Sequence, residues 1–314
     1  MNEKKYEDLG KGITCIDTGY KRPQAAAAYL MIENDRAGFV DTGTFHSVSR
    51  LLAVLRDKGL SPEQVDYVMP THVHLDHAGG AGELMRQLPN AKLVMHPRGA
   101  RHMIDPQKLI KGVISVYGED NFQRQFGAII PVPEERMIIA EDGCTIELGG
   151  RRLVFLDTPG HASHHYCVWD DYSKSFFTGD TFGLSYRELD VEGRAFIFPT
   201  TSPVQFKPEA WIKTLDKLAK YSPKKIQLTH YGEIRDVERL MGELRNGIKM
   251  FTRIAMACKK RRSRYECIRA GLLDFLIKAL RRHGLQWSAV EVESFLEMDL
   301  KLNSQGLDVW LDRQ

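Results

Sequence analysis

The chain has 314 residues, 43% hydrophobic and 27% charged, with 44 Lys and Arg against 41 Asp and Glu for a formal net charge of +3. That length buries a large core without covalent staples, as one domain or as a catalytic domain with a smaller appendage. The charge is too nearly balanced to imply a nucleic-acid or membrane partner. Cys15, Cys144, Cys167, Cys258 and Cys267 are scattered with no C-x-x-C pair, and an odd number argues against a complete disulfide framework; a reducing cytoplasm is the expected location. Met1–Lys11 is polar and charged, and no apolar run approaches the roughly 20 residues that span a bilayer, so neither a signal peptide nor membrane insertion is expected.

From Gly12 to about Gly232, short β-branched runs alternate with turn signals and amphipathic helices, the pattern of an α/β or α+β domain. Predicted strands are Ile13–Asp17, Ala28–Ile32, Gly38–Asp41, Tyr67–Met69, Lys92–Met95, Arg136–Ala140, Thr145–Leu148, Arg152–Asp157, Tyr166–Asp170, Ser175–Thr178 and Lys225–Thr229. Most are short and many adjacent, so antiparallel pairing is expected. A helix over His46–Lys58 places Val48, Leu51, Leu52 and Leu55 on one face and ends at Gly59; another over Pro208–Tyr221 buries Trp211, Leu215 and Leu218. Arg98–Pro133 is the least regular stretch and reads as an insertion near the site rather than as core.

After Gly232 the strand signal ends. Ile234, Val237, Leu240, Met241, Leu244, Ile248, Phe251, Ile254 and Ala255 follow helical spacing, a second helix covers Tyr265–Arg282, and Ser288 with Glu291 forms a capping box for a third. Asn303–Gly306 reads as a turn before Leu307–Leu311. The boundary falls between residues 231 and 245, dividing a catalytic domain, 1–235, from a helical extension, 236–314. The apolar stripes of that extension must bury against something, a second subunit being one option. The basic run Lys259–Arg264 reads as a solvated junction between helices, although it could attract phosphate.

The chemistry concentrates in Thr71-His72-Val73-His74-Leu75-Asp76-His77, directly after the apolar run Tyr67–Met69. In an extended segment, side chains two apart point the same way, so His72 and His74 can share one ion. Asp76 and His77, one short turn further, can face a second ion beside it. One polar loop with a lone hydrogen-bonded histidine would be unremarkable, but H-x-H-x-D-H at a strand end has metal-ligand spacing. Three further strand ends supply single ligands: His161 after Thr158-Pro159-Gly160, Asp180 after Thr178-Gly179, and His230 after Thr229. The carboxylate of Asp180 has two oxygens and can bridge two cations.

Together T-H-V-H-L-D-H, T-P-G-H, T-G-D and T-H-Y-G resemble the motif series of the metallo-β-lactamase superfamily over roughly residues 12–232. The resemblance implies a four-layer αβ/βα sandwich with a dinuclear centre at the common edge of two β-sheets. It implies that His72, His74 and His161 hold the first metal, that Asp76, His77 and His230 hold the second, and that Asp180 bridges them. Asp at the bridging position is similar to the branch containing glyoxalase II and the quorum-signal lactonases, whereas the true β-lactamases carry Cys there. His165 and Asp41 read as supports for ligands rather than as ligands, and His164 as structural. Tyr186 and Tyr231 are either oxyanion stabilisers or ordinary packed tyrosines. His46, His96, His102 and His283 lack partners at ligand spacing.

The expected activity is metal-dependent hydrolysis of a small-molecule ester, lactone or thioester, with a phosphodiester possible on the same chemistry. A metal-bridged hydroxide would be the nucleophile, and Asp76 or Asp180 would take a proton in transit. Histidine and carboxylate ligands without thiolate suit zinc, and iron or manganese as well. Two other classes compete: a di-iron protein reducing oxygen or nitric oxide, and a signalling protein that binds a metabolite without turnover. The di-iron members of the fold show H-x-E-x-D, where this chain has His74 at the Glu position, and persulfide dioxygenases use one iron, where Asp76, His77 and His230 would complete a second site.

Overall fold

The computed structural model describes residues 5–201 and 204–314; Met1–Lys4, part of the polar N-terminal segment, and Ser202 and Pro203 of the 182–206 loop lie outside the described residues. The chain divides into two compact units. The first takes the described residues up to Asp157, His164–Gly179 and Pro223–Arg235; the second takes Thr158–Ser163, Asp180–Ser222 apart from 202 and 203, and Asp236–Gln314.

The first unit contains both sheets. Strands β1 (Tyr6–Gly10), β2 (Ile13–Asp17), β3 (Ala27–Glu33), β4 (Arg36–Val40), β5 (Val65–Met69), β6 (Lys92–Met95) and β7 (Met137–Ile139) pair in chain order. The second sheet is formed by β8 (Thr145–Leu148), β9 (Arg151–Asp157), β10 (Tyr166–Asp170), β11 (Ser175–Gly179), β12 (Lys225–Leu228) and β13 (Gly232–Ile234), also in order. Antiparallel pairing holds from β1 to β4 and from β8 to β11, but β4 to β7 run parallel and so do β11 and β12. The sheets are therefore mixed, correcting the antiparallel expectation: helices inserted after β4, β5 and β6 are long enough for parallel crossovers.

Two apolar cores follow from this layering. Tyr29, Met31 and Val40 of the first sheet cluster with Leu148, Phe155, Val168 and Phe177 of the second. On the other face of the first sheet, Leu30, Phe39 and Val68 cluster with Leu51 and Leu55 of α1 (Val48–Asp57). After β5 come the short α2 (Leu75–Ala78) and α3 (Ala81–Gln87), which adds Leu84 and Met85 to that second cluster. The 98–133 stretch is three helices, α4 (Pro97–Ile104), α5 (Gln107–Tyr117) and α6 (Glu119–Phe126). Ala100, Met103 and Val132 belong to the core, and Phe122 and Phe126 are buried with Tyr20 and Leu75. Periodicity there is broken by Gly112 and Gly118, and α5 buries its apolar face only partly.

The second unit is helical: α7 (Pro208–Ala219), α8 (Val237–Cys258), α9 (Arg264–His283), α10 (Ala289–Phe295) and α11 (Glu297–Leu311). The Ser288 and Glu291 capping box starts α10 as expected. Helix α11 runs straight through 303–306, where a turn was expected. Asn303 and Ser304 are buried; the Asn303 carboxamide oxygen accepts from the Thr201 amide and the Ser304 hydroxyl donates to Leu300 O at 2.6 Å. Those partners remove the competition with backbone bonding that makes these residues poor helix formers in isolation. A disulfide joins Cys258 to Cys267 across the loop between α8 and α9, while Cys15, Cys144 and Cys167 are free. No helix among the described residues is long and apolar enough to cross a membrane.

Candidate metal centre

Parallel pairing of β4 with β5 sets Val40 beside Met69, so Asp41 and the 70–77 loop leave the sheet at the same end. Asp41 sits at φ +56, a left-handed conformation that Asp adopts more readily than most residues. Its carboxylate is 1% exposed and saturated. One oxygen accepts from the Thr71 amide at 2.7 Å and the Thr71 hydroxyl at 2.9 Å; the other accepts from Thr229 Oγ1 at 2.6 Å and His77 Nδ1 at 2.9 Å. One buried charge thus ties together the strand ends that carry His72, His77 and His230.

The same bonding fixes the imidazoles. The Thr71 hydroxyl, donating to Asp41, accepts from His72 Nδ1 at 3.2 Å. His77 Nδ1 donates to Asp41, and His230 Nδ1 donates to Ala25 O at 2.7 Å. With the proton held on Nδ1, each ring keeps its lone pair on Nε2. His72 Nε2 lies 2.7 Å from His74 Nδ1, and His230 Nε2 lies 3.4 Å from Asp76 Oδ2. Ligand atoms of Asp76, His77 and His230 all fall within 4.8 Å of one another. His72 and His77 are fully buried, whereas His74 and Asp76 are partly open.

His161 and Asp180 belong to the second unit, where His161 Nε2 approaches Asp180 Oδ2 to 3.2 Å. Here too Nδ1 is committed, donating to Thr200 O at 2.9 Å. Gly160 makes the approach possible: its φ is +147, and a Cβ would sit 2.5 Å from Trp211 Cα. The Trp211 indole is fully buried, stands edge-on to His161 with centroids 6.0 Å apart, and donates from Nε1 to Thr181 O at 2.6 Å, next to Asp180.

Among the neighbouring residues, His164 departs from its sequence reading. His165 is buried and stacks on His72 at 4.7 Å, which fits a supporting role. His164 is also drawn in, its ring 6.1 Å from His72 and 5.7 Å from His74. Alternation does not apply to it because β10 begins only at Tyr166. The Tyr186 hydroxyl donates to Asp299 at 3.1 Å, and Tyr231 packs in the intersheet core against Cys15, so both are packed tyrosines. Burial pushes the Tyr231 phenol up and the Cys15 thiol to about 12, and both stay protonated. His96 caps α4 through its ring and pairs with Asp157 at 3.0 Å. Thr71, at the head of the T-H-V-H-L-D-H segment, orients His72 through its hydroxyl, whereas Ala25 and Thr200 orient ligands through backbone oxygens alone, without any sequence signal.

Imidazole nitrogens with fixed lone pairs and carboxylate oxygens, with no thiolate among them, form a donor set that suits zinc, iron or manganese. A model of the metallo-beta-lactamase superfamily matches residues 22–230, and the chain belongs to that superfamily. Members of the superfamily are generally enzymes and bind divalent metals. The chain is 26% identical over 227 residues to metallo-beta-lactamase fold-containing protein ST1585 of Sulfurisphaera tokodaii, covering 71% of this chain and 79% of that protein. The solved structure of ST1585 superposes with a TM-score of 0.66 at 22% identity, covering 95% of this chain and 98% of that one. Two mixed sheets with flanking helices and a C-terminal helical region are thus the αβ/βα sandwich. Human acyl-coenzyme A thioesterase MBLAC2 is 26% identical over 203 residues, 56% of this chain and 65% of the relative. Coenzyme F420H(2) oxidase of Methanothermobacter marburgensis is 27% identical over 161 residues, half of this chain but only 34% of the oxidase.

Proposed function

We propose that this protein is a dinuclear metal-dependent hydrolase of small carboxylic esters, thioesters and lactones, with acyl thioesters the first class to test. In this reading His72, His74, His161 and Asp180 would hold one ion and Asp76, His77 and His230 the other. The observation that carries it is the tautomer control: His72, His77, His161 and His230 each commit Nδ1 to an oxygen, which directs the Nε2 lone pair toward the other candidate ligand atoms. Bound divalent ions would supply Lewis acidity toward the scissile carbonyl and a lowered pKa for the attacking water.

The chain's own residues do the rest. Asp180 is 5% exposed and suits charge neutralisation, while Asp76 is open enough to receive a proton from water and pass it to solvent. Asp41 and the Ala25 and Thr200 carbonyls hold the rings against rotation as charge develops. The thioesterase similarity supports the acyl-thioester choice, and aspartate at the bridging position supports the glyoxalase II and lactonase branch.

A di-iron redox role is the second reading, favoured by the similarity to the F420H(2) oxidase. Elemental analysis of the chain purified without added metal separates the two. The hydrolase reading expects about two divalent ions per chain, release of free thiol from acyl thioesters, and loss of about 1,000-fold or more in kcat/KM in Asp180→Ala. Two irons with visible absorption, oxygen consumption and no hydrolysis would establish the redox reading instead. Unchanged cellular activity in Asp180→Ala would point to metabolite sensing without turnover, and failure to bind metal after reconstitution would remove the ligand assignment itself.

A further inference from the structure

The helical unit contains a cleft of about 380 Å³ between the 194–199 segment, α8 and α9. Its size is that of a small-molecule site rather than a packing defect. The partly exposed Phe275 and Ala279 line it together with the edges of the buried Phe196, Phe198 and Pro199. The close seating of Pro199 depends on Gly247, where a Cβ would lie 2.8 Å from the proline ring.

The polar groups are as specific as the apolar lining. Arg194 and Arg282 line the cleft, both are exposed, and neither forms an ion pair among the described residues. His283 Nε2 bonds Arg194 O at 3.1 Å, fixing the end of α9 to the segment that carries Arg194. Asn246 adds an amide. The remaining charge in the lining, Glu243, is already engaged by Arg239 at 2.7 Å, and Arg239 also donates to Ala195 O, so this carboxylate does not neutralise the other two arginines. Guanidinium groups match a carboxylate in planar, paired hydrogen bonds. Two guanidinium groups beside an apolar lining favour a ligand with one carboxylate and an apolar body.

We propose that this cleft is a binding site for a small amphipathic monocarboxylate, an acyl or aryl acid whose carboxylate meets Arg194 and Arg282 and whose apolar body lies on Phe275 and Ala279 against the edges of Phe196 and Phe198. Such a site is independent of the metal ligands, none of which lines it, and it stands whether or not the hydrolase reading holds.

The test is isothermal titration of the full chain with octanoate and, separately, octanamide. Octanoate binds more tightly than octanamide, and the double variant Arg194→Ala/Arg282→Ala weakens octanoate by about tenfold or more while leaving octanamide unchanged. Ala279→Trp, which fills the cleft, abolishes both. Because both arginines are exposed, the double variant keeps the wild-type circular dichroism and melting curve. Octanoate affinity that is no better than that of octanamide, or that survives in both variants as at a metal ion, overturns the proposal, as does absence of binding by the wild type.

Discussion

The candidate ligands of the two units are held by different physics. In the sheet unit, His77, Thr71 beneath His72, and Thr229 before His230 all converge on the buried charge of Asp41. In the helical unit, His161 leans on one backbone carbonyl and on an indole that only Gly160 lets so close. Electrostatic support is sensitive to the loss of a charge and indifferent to volume; packing support is the reverse. Substitutions chosen along that line should separate the two.

The largest effect is expected on the packing side. Trp211→Ala removes a fully buried indole and its bond to Thr181, and should cost about 3–5 kcal/mol in denaturant unfolding. A loss under about 1 kcal/mol would mean that the site around His161 relaxes freely and is not packing-held at all. Smaller, and confined to the same unit, is the effect of opening Cys258–Cys267, which closes a short loop between α8 and α9. Its removal by Cys258→Ser/Cys267→Ser should cost about 2–3 kcal/mol through loop entropy. Thiol titration of the unfolded, unreduced chain provides the control, since Cys15, Cys144 and Cys167 alone should react. Reaction of all five cysteines would show that the two helices are not covalently joined.

This contrast also explains what could be read from the sequence. Strand ends bearing H-x-H-x-D-H and T-G-D are legible because alternation and glycine are local signals, and the central strands appear within a residue or two of their predicted bounds. β1 was not legible: it is a charged edge strand with no apolar alternation to detect. Nor was the helix through Asn303–Gly306, where the local residues favour a turn and only the distant Thr201 decides otherwise. His164 joined the histidine cluster for the same reason, through loop geometry that no periodicity encodes. The supports at Ala25 and Thr200 act through main-chain oxygens, which every residue possesses.

On the electrostatic side, Asp41→Asn is nearly isosteric and tests charge with little change in volume. Both oxygens of Asp41 accept, so an amide nitrogen must replace one of them. If the amide oxygen stays with the Thr71 amide and hydroxyl, the new NH2 faces His77 Nδ1 and the Thr229 hydroxyl, where only acceptors are tolerated. Thr229 can rotate its proton away. His77 can avoid the clash only by moving its own proton from Nδ1 to Nε2, and that proton then occupies the lone pair that would hold a metal. The expected result is a folded protein whose affinity at the Asp76, His77 and His230 position is lower by about 10–100-fold, with the loss in unfolding free energy smaller than for Trp211→Ala. Competition with a chelating dye measures the first quantity and denaturant unfolding the second. Undiminished metal affinity in Asp41→Asn would mean that His77 does not use Nε2 toward a cation, and the tautomer argument would fail at the residue where it is strongest.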